Sequence, residues 1–268
     1  MVQTRVPTKE DFAPLPLTTS LHFPSPPEST TAILLLFHGL GDDHPSFQSF
    51  AASLNLPGVL AVSVRGTSPL PPSLLGLTEE EASAPASHFH WGDDITLDQR
   101  TGDVDVDPGF EKSASAVLET LIGGVLVGRC GWRLDDILLF GYGQGGSLAL
   151  GLASRVRMGN LGRRVAEVKE GEEEEYGTAF KGVVSVGGPL PMSMVPTVSA
   201  RGKSRTPVLV CCGNRSTAVD EDAVELLQKE FETVKVVVWK RPDDGPPRNR
   251  DEVLPMMEFF AERLRSPI

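Results

Sequence analysis

Short, almost continuous apolar runs alternate along the chain with segments whose apolar positions recur every three or four residues. Thr31 to Phe37, Val59 to Val64, Ile137 to Phe140, Ala179 to Val186, Pro207 to Cys212 and Val234 to Lys240 read as strands. Asp43 to Leu54, Phe110 to Cys130, Ser147 to Met158, Ala223 to Phe231 and Asp251 to Arg265 read as helices. Strands without polar alternation belong to a sheet covered on both faces. Helices interposed between strands imply βαβ units and a mostly parallel sheet. Ligands of such sheets bind beyond the carboxyl ends of the strands, so chemistry is sought in the residues just after each strand.

The chain is expected to be one domain over residues 1–268. Residues 1–30 read as an N-terminal extension with an edge strand. Residues 66–109, rich in Pro, Gly and Ser, read as a long loop over the site. Residues 159–178, with the acidic run 172–175, read as a flexible insertion. Formal net charge is −11, which argues against nucleic acid and anionic lipid as partners through simple repulsion. Cys130, Cys211 and Cys212 are odd in number and make a poor disulfide framework, which suits the reducing cytoplasm. Residues 1–21 lack a signal-peptide core, and no apolar run approaches the roughly 20 residues of a membrane span.

The densest post-strand segment is Phe140-Gly141-Tyr142-Gly143-Gln144-Gly145-Gly146-Ser147. Two motifs compete for it. Gly141, Gly143 and Gly146 spell G-x-G-x-x-G, the turn that admits a pyrophosphate to a helix N-terminus. That motif needs an acid after the next strand to hold a ribose, and Ser185-Val186-Gly187-Gly188-Pro189 has none. The other motif is G-x-S-x-G, a sharp strand-to-helix turn that lifts a nucleophilic serine above the sheet. Its central position here is Gly143, which suits the strained turn and carries no nucleophile.

Four segments together resemble the acyl-protein thioesterase and carboxylesterase branch of the α/β hydrolases. Leu36-Phe37-His38-Gly39-Leu40-Gly41-Asp42 resembles its H-G-x-G-D oxyanion motif, and Phe140 to Gly146 its G-F-S-Q-G-G elbow. Trp91-Gly92-Asp93 resembles its W-x-D loop, and Cys212 to Val219 its H-G-x-x-D-x-x-V acid loop. The match runs in order from about residue 31 to 265. It implies the α/β-hydrolase fold, a mostly parallel twisted sheet with helices on both faces.

The same resemblance places three substitutions. Gly143 stands at the nucleophile position, Ser216 at the acid position, and Asp244 at the base position within Arg241 to Pro247. It assigns the oxyanion-hole amides to Leu40 and Gln144, with Trp91 beside the ligand. Independently of any alignment, the five histidines are His22, His38, His44, His88 and His90. In this fold the base follows nucleophile and acid in the chain, so none of them can fill the role.

The sequence thus leads to a catalytically inactive member of that family, holding a small acyl or ester ligand or a protein partner at the vestigial site. The alternative is an active carboxylesterase or thioesterase with a rearranged site using Cys212, Ser147 or His90. No cofactor is expected. His88, His90, Asp93 and Asp94 have the donor types of a zinc site without its spacing, so no metal is expected. Arg248 and Arg250 precede the last helix, where pairing with surface acids is the default reading. The space over Gly143 is expected to stay open, the rival outcome being Phe89 or Trp91 inserted into it.

Overall fold

The computed structural model describes residues 3–75, 86–95, 104–156, 178–197 and 202–265. The strands are β1 (Thr19–His22), β2 (Ala32–Phe37), β3 (Val59–Val64), β4 (Ser68–Pro69), β5 (Phe89–His90), β6 (Ile137–Tyr142), β7 (Gly182–Val186), β8 (Val208–Gly213) and β9 (Val234–Trp239). The helices that cover the sheet are α1 (His44–Leu54), α2 (Glu111–Ser115, continuing as a π-wound stretch Ala116–Val127), α3 (Gln144–Arg155), α4 (Glu221–Glu230) and α5 (Arg250–Arg265).

Seven strands form one sheet in the order β1-β3-β2-β6-β7-β8-β9, parallel except for β1, which pairs antiparallel with β3. Alternate side chains of one strand go to opposite faces. Ile33, Leu35 and Phe37 join the core beneath α2, α3 and α4, while Leu34 and Leu36 join the core beneath α1 and α5. The runs of β2, β3, β6, β7 and β8 are therefore buried on both sides, which is why they carry no polar alternation, whereas β9 at the edge is only partly buried. This architecture is the expected α/β-hydrolase fold, and β6 sits at its centre with α3 leaving from its carboxyl end.

The segment read from sequence as one helix over Phe110 to Cys130 is α-helical only to Ser115; beyond it the backbone adopts the wider π form. Gly123, Gly124 and Gly128 lie in or just after that stretch, and a methyl on Gly128 would press on the Gly123 carbonyl. The edge strand expected in residues 1–30 is β1. Residues 66–109 are not all loop: β4 and β5 pair antiparallel, and Pro72–Leu75 makes a turn of helix. Residues 76–85 and 96–103 of that segment, and all but Thr178 of the expected insertion at 159–178, lie outside the described residues. Among the described residues no helix is long and apolar enough to cross a membrane.

Candidate functional site

Gly143 is the single residue between the end of β6 and the start of α3, with φ +51° and ψ −120°. L side chains rarely adopt such angles, whereas glycine does so without steric cost. Its N–H donates to the Val186 carbonyl at 2.8 Å, and its carbonyl accepts the Ser147 N–H at 3.0 Å. Where a side chain would project, no atom of the described residues beyond its chain neighbours lies within 4 Å. Neither Phe89 nor Trp91 enters that space.

The neighbouring glycines serve a different purpose, close approach of backbone. A methyl on Gly145 would overlap the carbonyl oxygens of Phe37 and His38, and one on Gly188 the carbonyl of Gly143. The turn is thus wedged against the end of β2 and the loop after β7. The packing role of Gly187 and Gly188 was missed in the sequence, where the doublet counted only as the lack of an acid. Adjacent glycines at a strand end were the available signal.

Next to the elbow, the loop Gly39 to Asp42 is pinned from the β5 side. The Gly41 N–H donates to the Phe89 carbonyl at 2.9 Å, and the Phe89 N–H to the Asp42 carbonyl at 3.2 Å. His38 anchors the loop from below. Its Nε2 accepts the Gly66 N–H at 2.8 Å, which fixes the proton on Nδ1, where it donates to the Gly39 carbonyl at 2.7 Å. Burial holds the His38 ring below its ordinary pKa, so it stays neutral. It is a structural histidine.

Trp91 requires a correction. Its side chain is fully buried; Nε1 donates to the His38 carbonyl at 2.8 Å, and the ring packs 5.1 Å from that of His38. No face of the ring is left for a ligand. Its backbone N–H instead donates to the Gln144 side chain at 2.8 Å, so Trp91 positions Gln144. The amide N–H groups of Leu40 and Gln144 themselves have no acceptor among the described residues. The Gln144 N–H is in the first turn of α3, where a helix favours negative charge.

Ser216 and Asp244, chosen from separate loops, are brought into direct contact. The Ser216 hydroxyl donates to Asp244 Oδ2 at 2.7 Å and accepts the Val219 N–H at 3.0 Å. Asp244 Oδ1 accepts the Gly213 N–H at 2.7 Å. Asp244 also packs on Gly187, whose φ of +69° and lack of a side chain make room for it. Since Gly187 follows the Val186 that holds the Gly143 N–H, the pair lies on the elbow side of the sheet.

The residues of the rearranged-site alternative are less well placed. Ser147 is buried inside α3. His90 is buried on β5, with no hydrogen-bond partner for Nδ1 among the described residues and its pKa lowered by burial. Burial, with the Asp244 charge adding to it, raises the pKa of the Cys212 thiol. Burial takes Cys211 to about 12 and Cys130 to about 11. A thiol so disfavoured as thiolate is a poor nucleophile. An Ellman's-reagent titration of the native protein is accordingly expected to count none of the three cysteines, and all three after unfolding in guanidinium.

Asp93 is consumed as a cap: Oδ2 and Oδ1 each accept at 2.8 Å from the N–H groups of Glu111 and Lys112 at the start of α2. His88 Nδ1 is bonded to the Gly41 carbonyl at 2.8 Å. Among the described residues no group of three or more His, Cys, Asp or Glu side chains is placed to hold a metal ion. Arg248 pairs with Asp243 at 2.9 Å, so it braces its own loop.

The sequence profile of the phospholipase/carboxylesterase family matches residues 21–166. An uncharacterized hydrolase of Schizosaccharomyces pombe is 28% identical over 215 residues, covering 79% of this chain and 74% of that protein. Among solved structures, acyl-protein thioesterase 2 of Zea mays is similar with a TM-score of 0.57 and 19% identity over 92% of this chain and 99% of its own. A carboxylesterase of Mesorhizobium loti is similar with a TM-score of 0.57 and 16% identity over 93% and 96%. At these identities the two structures speak to the fold.

Proposed function

We propose that this chain, which belongs to the phospholipase/carboxylesterase family, no longer hydrolyses esters and uses the vestigial site to hold a small acyl or ester ligand. The observation that carries the reading is Gly143: it has the elbow's backbone and no side chain, with nothing among the described residues within 4 Å in its place. Turnover in such a site needs a nucleophile and a base acting as a unit. Here the nucleophile is absent, and at the proposed base position a carboxylate, a weaker base than imidazole, is engaged with Ser216 and Gly213.

Binding needs less. The Leu40 and Gln144 amides offer two donors to a carbonyl or carboxylate oxygen. We read the whole of residues 1–268 as one domain. Three buried free cysteines support a cytoplasmic place of action.

A fluorophosphonate probe is expected to leave the protein unlabelled under conditions that label an active esterase completely. Octanoate is expected to bind saturably and to shift the amide resonances of Leu40 and Gln144 in 1H–15N spectra. Covalent labelling, or octanoate that leaves both amides unmoved, overturns the reading. Turnover abolished by Cys212→Ala or Ser147→Ala restores the rearranged-site alternative.

A further inference from the structure

Among the described residues β9 ends the sheet, and such an edge is a template for another strand. In a parallel ladder the residues alternate between bonding one neighbour and aiming both backbone groups to the other side. The Val208 N–H donates to the Thr233 carbonyl at 2.9 Å, which fixes the alternation. Thr233, Lys235, Val237 and Trp239 face β8; Val234, Val236 and Val238 aim N–H and C=O outward. Among the described residues no hydrogen bond reaches those outward groups. The side chains of Val234 and Val236 pack on the α4 side of the sheet, whereas Val238, of the same parity, is 59% exposed.

We propose that this edge pairs antiparallel with β9 of a second copy, forming a two-fold dimer with one continuous sheet. The register is centred on Val236. Val236 then faces its own mate, and Val234 faces Val238 of the other copy, so all the outward backbone groups of the three residues are paired. The exposed Val238 gains an apolar neighbour, since directly opposed residues lie on one face.

Charge agrees with this register. Glu232 and Lys240 lie two residues beyond the paired segment at its opposite ends; both are exposed, and neither has an ion pair among the described residues. The two-fold brings Glu232 of each copy to Lys240 of the other. Lys235 selects against slippage. Edge lysines ordinarily discourage pairing, yet here Lys235 meets Val237 of the mate. A slip that shortens the pair by moving the axis to Lys235 opposes two like charges. A slip the other way, to an axis on Val237, leaves fewer outward groups paired. The interface is isologous and closes on itself, as two-fold pairing requires.

The test is sedimentation velocity of the full chain across a micromolar-to-submillimolar series. A concentration-dependent dimer is expected. Lys240→Glu, which sets acid against acid at both ends, is expected to weaken it by about tenfold. Adding Glu232→Lys to that variant swaps the charges and is expected to return the dimer to near the parent strength. Val236→Pro removes an outward N–H without touching the β8 ladder, a place where an edge strand accepts proline, and is expected to leave only monomer. Circular dichroism of each variant checks that it folds. A parent that stays monomeric throughout overturns the proposal, as does a dimer indifferent to both Lys240→Glu and Val236→Pro.

Discussion

Gly143→Ser is expected to fold, to lose several degrees of melting temperature, and to remain without measurable hydrolysis of p-nitrophenyl esters. The substituted side chain enters open space, so no collision opposes it. The cost is the backbone: a non-glycine residue held at φ +51° is strained by about 1–3 kcal/mol. That corresponds to about 2–10 °C in a chain of this size. The new hydroxyl sits where a family nucleophile belongs, yet a serine at neutral pH is a weak nucleophile until a base takes its proton. The residue at the proposed base position, Asp244, is already bonded to Ser216 at 2.7 Å and to the Gly213 N–H at 2.7 Å. The triple change Gly143→Ser, Ser216→Asp, Asp244→His puts a full triad on positions that already touch in part. It is expected to exceed the single variant by at least about tenfold, because triad members act as a unit. Ester turnover by the single variant at a rate abolished by a fluorophosphonate would mean that a base other than those considered reaches Gly143.

The two faces of the sheet were legible because burial on both sides writes itself into β2, β3, β6 and β8 as unbroken apolar runs. The elbow was legible because its glycines are required by backbone geometry whether or not catalysis survives. Ser216 and Asp244 were harder: they come from different loops, and only the resemblance brought them together, with their hydrogen bond visible only in three dimensions. Trp91 was misread for a related reason. A tryptophan in a loop over the sheet carries no sequence mark that says whether its ring faces a ligand or, as here, fills the space under the Gly39–Asp42 loop. The π-wound stretch Ala116–Val127 was not legible either, since its apolar spacing also satisfies an α-helix. Helix α3 starts at Gln144, three residues before the sequence reading, because Gly145 and Gly146 look like loop residues until the close approach of β2 explains them.

That close approach predicts a large loss of stability. Gly145→Ala adds one methyl against the carbonyl oxygens of Phe37 and His38, and Gly145 is buried. Both obstacles are backbone, so no rotamer change relieves the overlap. Either α3 must lift off β6, or the end of β2 must move and loosen the His38 bonds to Gly39 and Gly66. The expected loss is about 4 kcal/mol or more, in the range that single substitutions reach only through an identified steric or polar fault. Gly143→Ala, two residues away, meets nothing within 4 Å and should lose only the about 1–3 kcal/mol of backbone strain. Urea denaturation of the two variants measures the difference directly. A helix-propensity argument predicts the opposite sign for Gly145, since alanine is favoured over glycine within a helix by about 1 kcal/mol. Finding Gly145→Ala as stable as the parent would therefore remove the wedge between α3 and β2.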